Sequence, residues 1–193
     1  GALQANLDQA QARYDEDPDD PENIIWLGRR LAYLWRYNDA IDVFTRGIEL
    51  HPETYALYRH RGHRYISVRK FEEAVADLSR AAELAQGVPD KLEVDGAPNL
   101  AGIPRSTDQS NIWYHLGLAH YLNGDFEAAL DAYNRRMQID RNDDNRCATA
   151  YWRYIILRRL DRPDDAADAV GSITGDMEVI ENTIYHQLAL LFK

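Results

Sequence analysis

At 193 residues the chain is long enough for one domain or one short solenoid with a core of its own. Its 45% hydrophobic and 28% charged residues exclude extended disorder, and a formal charge of −10 argues against a general nucleic-acid binder, which needs a basic surplus. The single cysteine, Cys147, excludes an internal disulfide and a cysteine-built metal site, and no run approaches the roughly 18 apolar residues of a membrane-spanning helix.

Taken in order, residues 2–15 (ALQANLDQAQARYD) read as a mostly polar N-terminal helix. The chain begins Gly1-Ala2 without Met, a start that a trimmed leader and an expression scar would both leave; localisation stays open between export after trimming, towards which this start leans, and the cytoplasm. In 21–54, Asp20 is placed to cap a helix with Pro21 at its first position. Ile24, Leu27, Leu31 and Leu34 then recur at helical spacing, Tyr37-Asn38 interrupts them, and Ala40, Ile41, Phe44 and Ile48 form a second stripe stopped at His51-Pro52. Residues 55–86 repeat this two-helix pattern. Residues 87–106 (GVPDKLEVDGAPNLAGIPRS) hold three Pro and three Gly, so no long regular element is expected there. Such a loop is either functional or a passive insertion. Further helix pairs are expected at 107–141 and 145–175, and a C-terminal helix over 176–193.

The helix pairs share a period. Gly28 and Gly62 are 34 residues apart, as are Ala40 and Ala74, Phe44 and Leu78, and Gly47 and Ala81. The first unit reads Ile24, Leu27, Gly28, Leu31, Ala40, Phe44, Gly47, Pro52; the second reads Tyr58, Gly62, Tyr65, Ala74, Leu78, Ala81, with Arg61 in a Leu slot. The third reads Trp113, Leu116, Gly117, His120, Ala129, Tyr133 and contains GDFEAAL. This pattern resembles the tetratricopeptide repeat (TPR), as found in bacterial TPR-containing proteins. A fourth unit (Ala150, Tyr154, Leu157, Ala166, Val170, Ile173) is degenerate, with Tyr154 in the Gly slot and Arg136 in a small-residue slot before it. The resemblance implies a single all-α domain over 1–193, an α-solenoid of antiparallel helix pairs with flanking N- and C-terminal helices. Gly28, Gly62 and Gly117 are then expected opposite Ala40, Ala74 and Ala129.

No reaction chemistry is legible, and the chain is expected not to be an enzyme. His60 and His63 are three apart and His115 and His120 five apart, but no acid accompanies them at metal-ligand spacing, so no metal and no cofactor are expected. Cys147 lacks a catalytic context, and no glycine-rich phosphate loop occurs. Runs such as Asp15–Asp20 and Asp161–Asp165 suit helix starts and solvated linkers.

In TPR arrays the first helix of each pair lines a groove. The segments 21–35, 55–70, 107–122 and 145–160 hold 2, 5, 0 and 4 Lys or Arg, half of the chain's 22, but only Glu22 and Asp108 of its 32 acids. Helical phase puts Arg29 and Tyr33, Arg59 and His63, Tyr114 and Tyr121, and Tyr151 and Arg158 on the groove side. A basic and aromatic lining suits carboxylates on a protein or peptide partner, unless the arginines pair with the chain's own acids. The alternatives are a receptor for a small anion in the same groove and an accessory domain of an enzyme. Some relatives clamp chaperone tails with Lys and Asn; Ile25 and Arg29 stand on the corresponding face here, so that clamp is not reproduced.

Overall fold

The computed structural model describes residues 1–94, 96 and 98–193; Asp95 and Ala97, inside the 87–106 insertion, lie outside the described residues. Among the described residues there are ten α-helices and no sheet. The chain divides into two compact units, 1–88 and 89–193.

The first unit holds α1 (Ala2–Glu16), α2 (Pro21–Tyr33), α3 (Tyr37–Leu50), α4 (Tyr55–Ser67) and α5 (Phe71–Leu84). Asp20 caps α2 by accepting from the Glu22 N–H at 2.7 Å, ahead of Pro21. Helix α1 packs on α2, α2 pairs with α3, α3 packs on α4, and α4 pairs with α5. One core runs through Leu7, Ile24, Leu27, Leu31, Phe44 and Leu57.

The second unit holds α6 (Asp108–Asn123), α7 (Phe126–Ile139), α8 (Asp143–Arg159), α9 (Pro163–Gly171) and α10 (Thr183–Leu191). Helices α6 and α7 pair, α7 packs on α8, and α8 pairs with α9. Helix α10 starts at Thr183, seven residues later than the sequence pattern implies. The reason is tertiary. The buried Asp144 carboxylate, at the start of α8, accepts the backbone N–H groups of Ile180, Glu181 and Asn182 at 2.7–3.1 Å and holds that stretch outside a helix.

Each helix pair turns in the same way. One residue per turn has a positive φ: Trp35 at 63°, Arg69 at 62°, Gly124 at 88° and Asp161 at 56°. The next N–H closes a ring to the carbonyl five residues back, as Arg36 to Leu31, Lys70 to Tyr65, Asp125 to His120 and Arg162 to Leu157. These hydrogen bonds satisfy the carbonyls left over at the helix end.

The glycines sit at tight helix crossings where the nearest group is a ring or branched chain, and at Gly62 the Ala74 carbonyl also lies 3.3 Å from where a Cβ would stand. A Cβ on Gly28 would lie 2.4 Å from the Phe44 ring, on Gly62 2.7 Å from Leu78 Cγ, and on Gly117 2.6 Å from the Tyr133 ring. In the fourth pair Tyr154 is accommodated because α9 offers Ala166 and Ala169, and its ring stacks on Phe192 at 4.5 Å.

The described part of 87–106 has no helix. It closes at its base by Glu93 N–H to Ser106 O and Asp108 N–H to Lys91 O. Arg105 then ties it to α8 through Asp144 at 2.8 Å, and Asn142 donates to the Arg105 carbonyl at 2.6 Å.

Candidate functional site

In the first unit, the first helices of its two pairs present one basic, aromatic face. Arg29 lies over the Trp26 ring at 4.4 Å and Arg30 over the same ring at 4.8 Å. Tyr33 follows one turn on from Arg30, 5.9 Å from its guanidinium. On α4, Arg59 is buried with Nη1 2.8 Å from His60 Nδ1, and His63 is half-buried. Arg64 completes the group, with its guanidinium 5.5 Å from the Tyr37 ring.

Arg64 registers the electrostatics of this face. Its pKa is lowered to about 10, first by burial and then by Arg59, with Arg29 adding to the same effect while Tyr37 and Tyr33 oppose it. Like charges have been gathered here at a cost. Arg61, by contrast, is committed to structure: it holds Asp77 of α5 through two hydrogen bonds of 2.7 and 2.8 Å and also donates to Thr45. Of the residues that helical phase grouped in this unit, Arg29, Tyr33 and Arg59 act on Arg64, and His63 stands one residue before it on α4; Trp26, Arg30 and Arg64 were not in that group.

The second unit has a different character. Tyr114 and Tyr151 both meet Tyr185 of α10, Tyr114 by a hydroxyl–hydroxyl hydrogen bond of 3.0 Å and Tyr151 by a ring contact at 5.0 Å. Tyr121 packs on Phe126 and on Trp152, which itself stacks on Tyr133. Burial and then Tyr185 push the Tyr114 hydroxyl well above the usual tyrosine range. Arg158 is exposed on the last turn of α8. These four positions thus separate into an aromatic cluster and one solvent-facing cation.

Sequence reasoning gave no hint of the polar core beside that cluster. Arg136 is buried and donates to Ser110 Oγ at 3.1 Å and Thr149 Oγ1 at 2.8 Å. Asp140 accepts from both hydroxyls, at 3.0 and 2.6 Å. Every member is satisfied by another, which suits a structural network. A groove of about 280 Å³ runs along α7, α8 and α9, but its arginines are committed: Arg153 donates to Asn134 at 2.9 Å and Arg162 pairs with Asp165 at 2.7 Å. Among the described residues no group of three or more metal-ligating side chains converges.

Known proteins point to the same architecture. The tetratricopeptide-repeat family model matches residues 110–143, the third unit. Human tetratricopeptide repeat protein 13 is 34% identical over 73 residues, 38% of this chain and only 8% of that protein's length. Among solved structures, TTC0263, a thermophilic TPR protein of Thermus thermophilus, superposes with a TM-score of 0.69 at 17% identity, covering 98% of this chain and 91% of its own. YrrB, described as a TPR protein with an unusual peptide-binding site, superposes with a TM-score of 0.63 at 16% identity, covering 84% and 71%. Residues 110–143 thus match the tetratricopeptide repeat, and the chain as a whole has the helix-pair fold of tetratricopeptide-repeat structures.

Proposed function

We propose that the protein is a binding scaffold whose first unit holds an acidic or carboxylate-bearing segment of another protein on the face built from Arg29, Tyr33, Arg59, His63 and Arg64. The observation that carries this reading is a face that sets Arg29 and Arg30 over Trp26 and Arg64 against Tyr37, with repulsion from Arg59 and Arg29 adding to the larger effect of burial on Arg64, in a chain of net charge −10. An anionic partner would relieve that repulsion, and guanidinium groups suit carboxylates because two parallel N–H donors match two oxygens. Tyr33 and the Trp26 ring supply flat apolar walls beside the charges, as protein interfaces commonly do. YrrB, with its peptide-binding site on a similar fold, is consistent with a peptide as the ligand. In the second unit, Tyr114, Tyr121 and Tyr151 make an apolar rather than an anionic recognition surface.

The test uses a fluorescent peptide carrying several glutamates, beside the same peptide with glutamines. Arg29→Glu is the informative variant, because Arg29 is only half-buried and its loss leaves the core intact. We expect the acidic peptide to bind, to weaken as salt rises from about 0.05 to 0.5 M, and to bind Arg29→Glu at least about tenfold more weakly, a loss of ~1.4 kcal/mol. Equal affinity for the two peptides, or indifference to both salt and Arg29→Glu, would overturn the reading.

A further inference from the structure

Helix α10 does not continue the packing order that precedes it. In both units the second helix of a pair covers the first helix of the next, α3 on α4 and α7 on α8. A helix following α9 in that order would rest mainly on α9. Instead α10 rests chiefly on α8. It also reaches back past α8, because Tyr185 bonds the hydroxyl of Tyr114 on α6. Tyr114 and Tyr151, the residues it covers, stand at the positions whose helical phase marks them for partner contact.

The contacts follow one face of α10. Tyr185 meets Tyr114 and Tyr151. Ala189, four residues on, is fully buried in the cluster with Cys147 and Ala150. Phe192, seven on, stacks on Tyr154 at 4.5 Å and lies near-parallel to Tyr151 at 6.2 Å. One flank of the helix is in solvent, with Ile184 and Leu191 70% and 76% exposed. A short helix laid by alternate turns into an aromatic groove is how helical peptides dock on helical receptors.

We propose that the α6/α8 face of the second unit is a helix-binding site, occupied here by α10 from the same chain, and that its external partner is an amphipathic helix with tyrosine, a small residue four positions on and an aromatic residue seven on. The small residue is needed because Ala189 sits flush among Cys147, Ala150 and Val170, where a larger side chain would lift the helix off the face. The leading tyrosine is favoured over phenylalanine by the partly buried hydroxyl of Tyr114, which bonds that of Tyr185 at 3.0 Å. The pattern excludes strongly charged segments, so this site and the arginine-rich face of the first unit select different partners.

The probe is a labelled synthetic peptide with the sequence of residues 178–193, used with the full chain. Wild-type protein should bind it weakly, because its own α10 competes. The double substitution Tyr185→Ser and Phe192→Ser should bind it at least tenfold more tightly, and adding Tyr151→Arg should abolish the gain. A control peptide with Tyr185→Asp and Phe192→Asp should not bind. Equal affinity for wild-type protein and the double variant overturns the proposal, as does no binding to a double variant that still melts cooperatively. Should the double variant fail to fold, hydrogen exchange of the wild-type chain decides. The α10 amides should exchange at least tenfold faster than those of α8, reporting local release. Exchange of α10 only together with α8 overturns the proposal.

Discussion

Tyr133 is the largest fully buried side chain, and its hydroxyl is buried without a hydrogen-bond partner. Its ring lies against Gly117 on one side and is stacked on Trp152 on the other, so it cannot move to find one. An unsatisfied buried hydroxyl costs stability that a hydrogen atom in its place would not. Tyr133→Phe should therefore raise the stability of the second unit by about 1 kcal/mol, read as a shift of the urea midpoint at unchanged slope. A loss of stability would mean that the hydroxyl has a role the packing does not reveal. At this scale the sequence was most legible where side chains are apolar and periodic. Phe44, Leu78 and Tyr133 recur in register because one crossing needs one bulky group. It was least legible where a charge stands in an apolar slot. Arg61 and Arg136 break the pattern; Arg61 finds Asp77 on the paired helix, and Arg136, besides Asp140 four residues on, bonds Ser110 of α6 and Thr149 of α8, partners that no local period encodes.

The helices themselves were readable from caps and stripes, as the Asp20-Pro21 start of α2 illustrates. Helix α10 was readable as a helix but not in extent, since the three N–H groups that Asp144 takes belong to residues 36, 37 and 38 positions away. Between paired helices, the left-handed turn tolerates Trp35, Arg69 and Asp161 in a conformation that strains any residue with a Cβ. Trp35 is 81% exposed, so little packing is lost by removing it. Trp35→Gly should stabilise the first unit by about 0.5–1 kcal/mol, the relief of left-handed strain less the added freedom of the unfolded glycine. Thermal melting checks this, and a lowered midpoint would show that the indole packs to more effect than its exposure suggests.

At the scale of the whole molecule, each unit has a core cluster of its own. The second depends on Asp144, where the insertion, α8 and the segment before α10 meet. Burial alone would push the Asp144 carboxyl up, but the N–H groups of Asn182, Glu181 and Ile180 and the Arg105 guanidinium outweigh it and hold the pKa below the ordinary aspartate range. Because the folded pKa is depressed, this stabilisation is complete above the unfolded value near pH 4 and is lost as pH falls through the folded value. Asp144→Ala should cost the second unit about 3–5 kcal/mol at neutral pH by stranding Arg105 and three amides. Trp113 and Trp152 fluorescence should follow that loss, while the first unit, reported by Trp26, melts as before. The gap between wild type and variant should narrow on titration from about pH 6 to pH 2; a gap independent of pH would show that the carboxylate's charge is immaterial. The four-unit repeat pattern and its interruption at 87–106 were both visible in the chain, and the division after residue 88 falls within that interruption.

Asp144 also fixes how α10 can leave its place. It grips Asn182, three residues before Tyr185, so release is a pivot about a fixed point rather than an escape. A segment held on so short a leash is present at its own site at an effective concentration on the order of millimolar or above. An outside helix must overcome that standing concentration. The leash therefore raises the partner level at which the face is half filled, without making the response steeper.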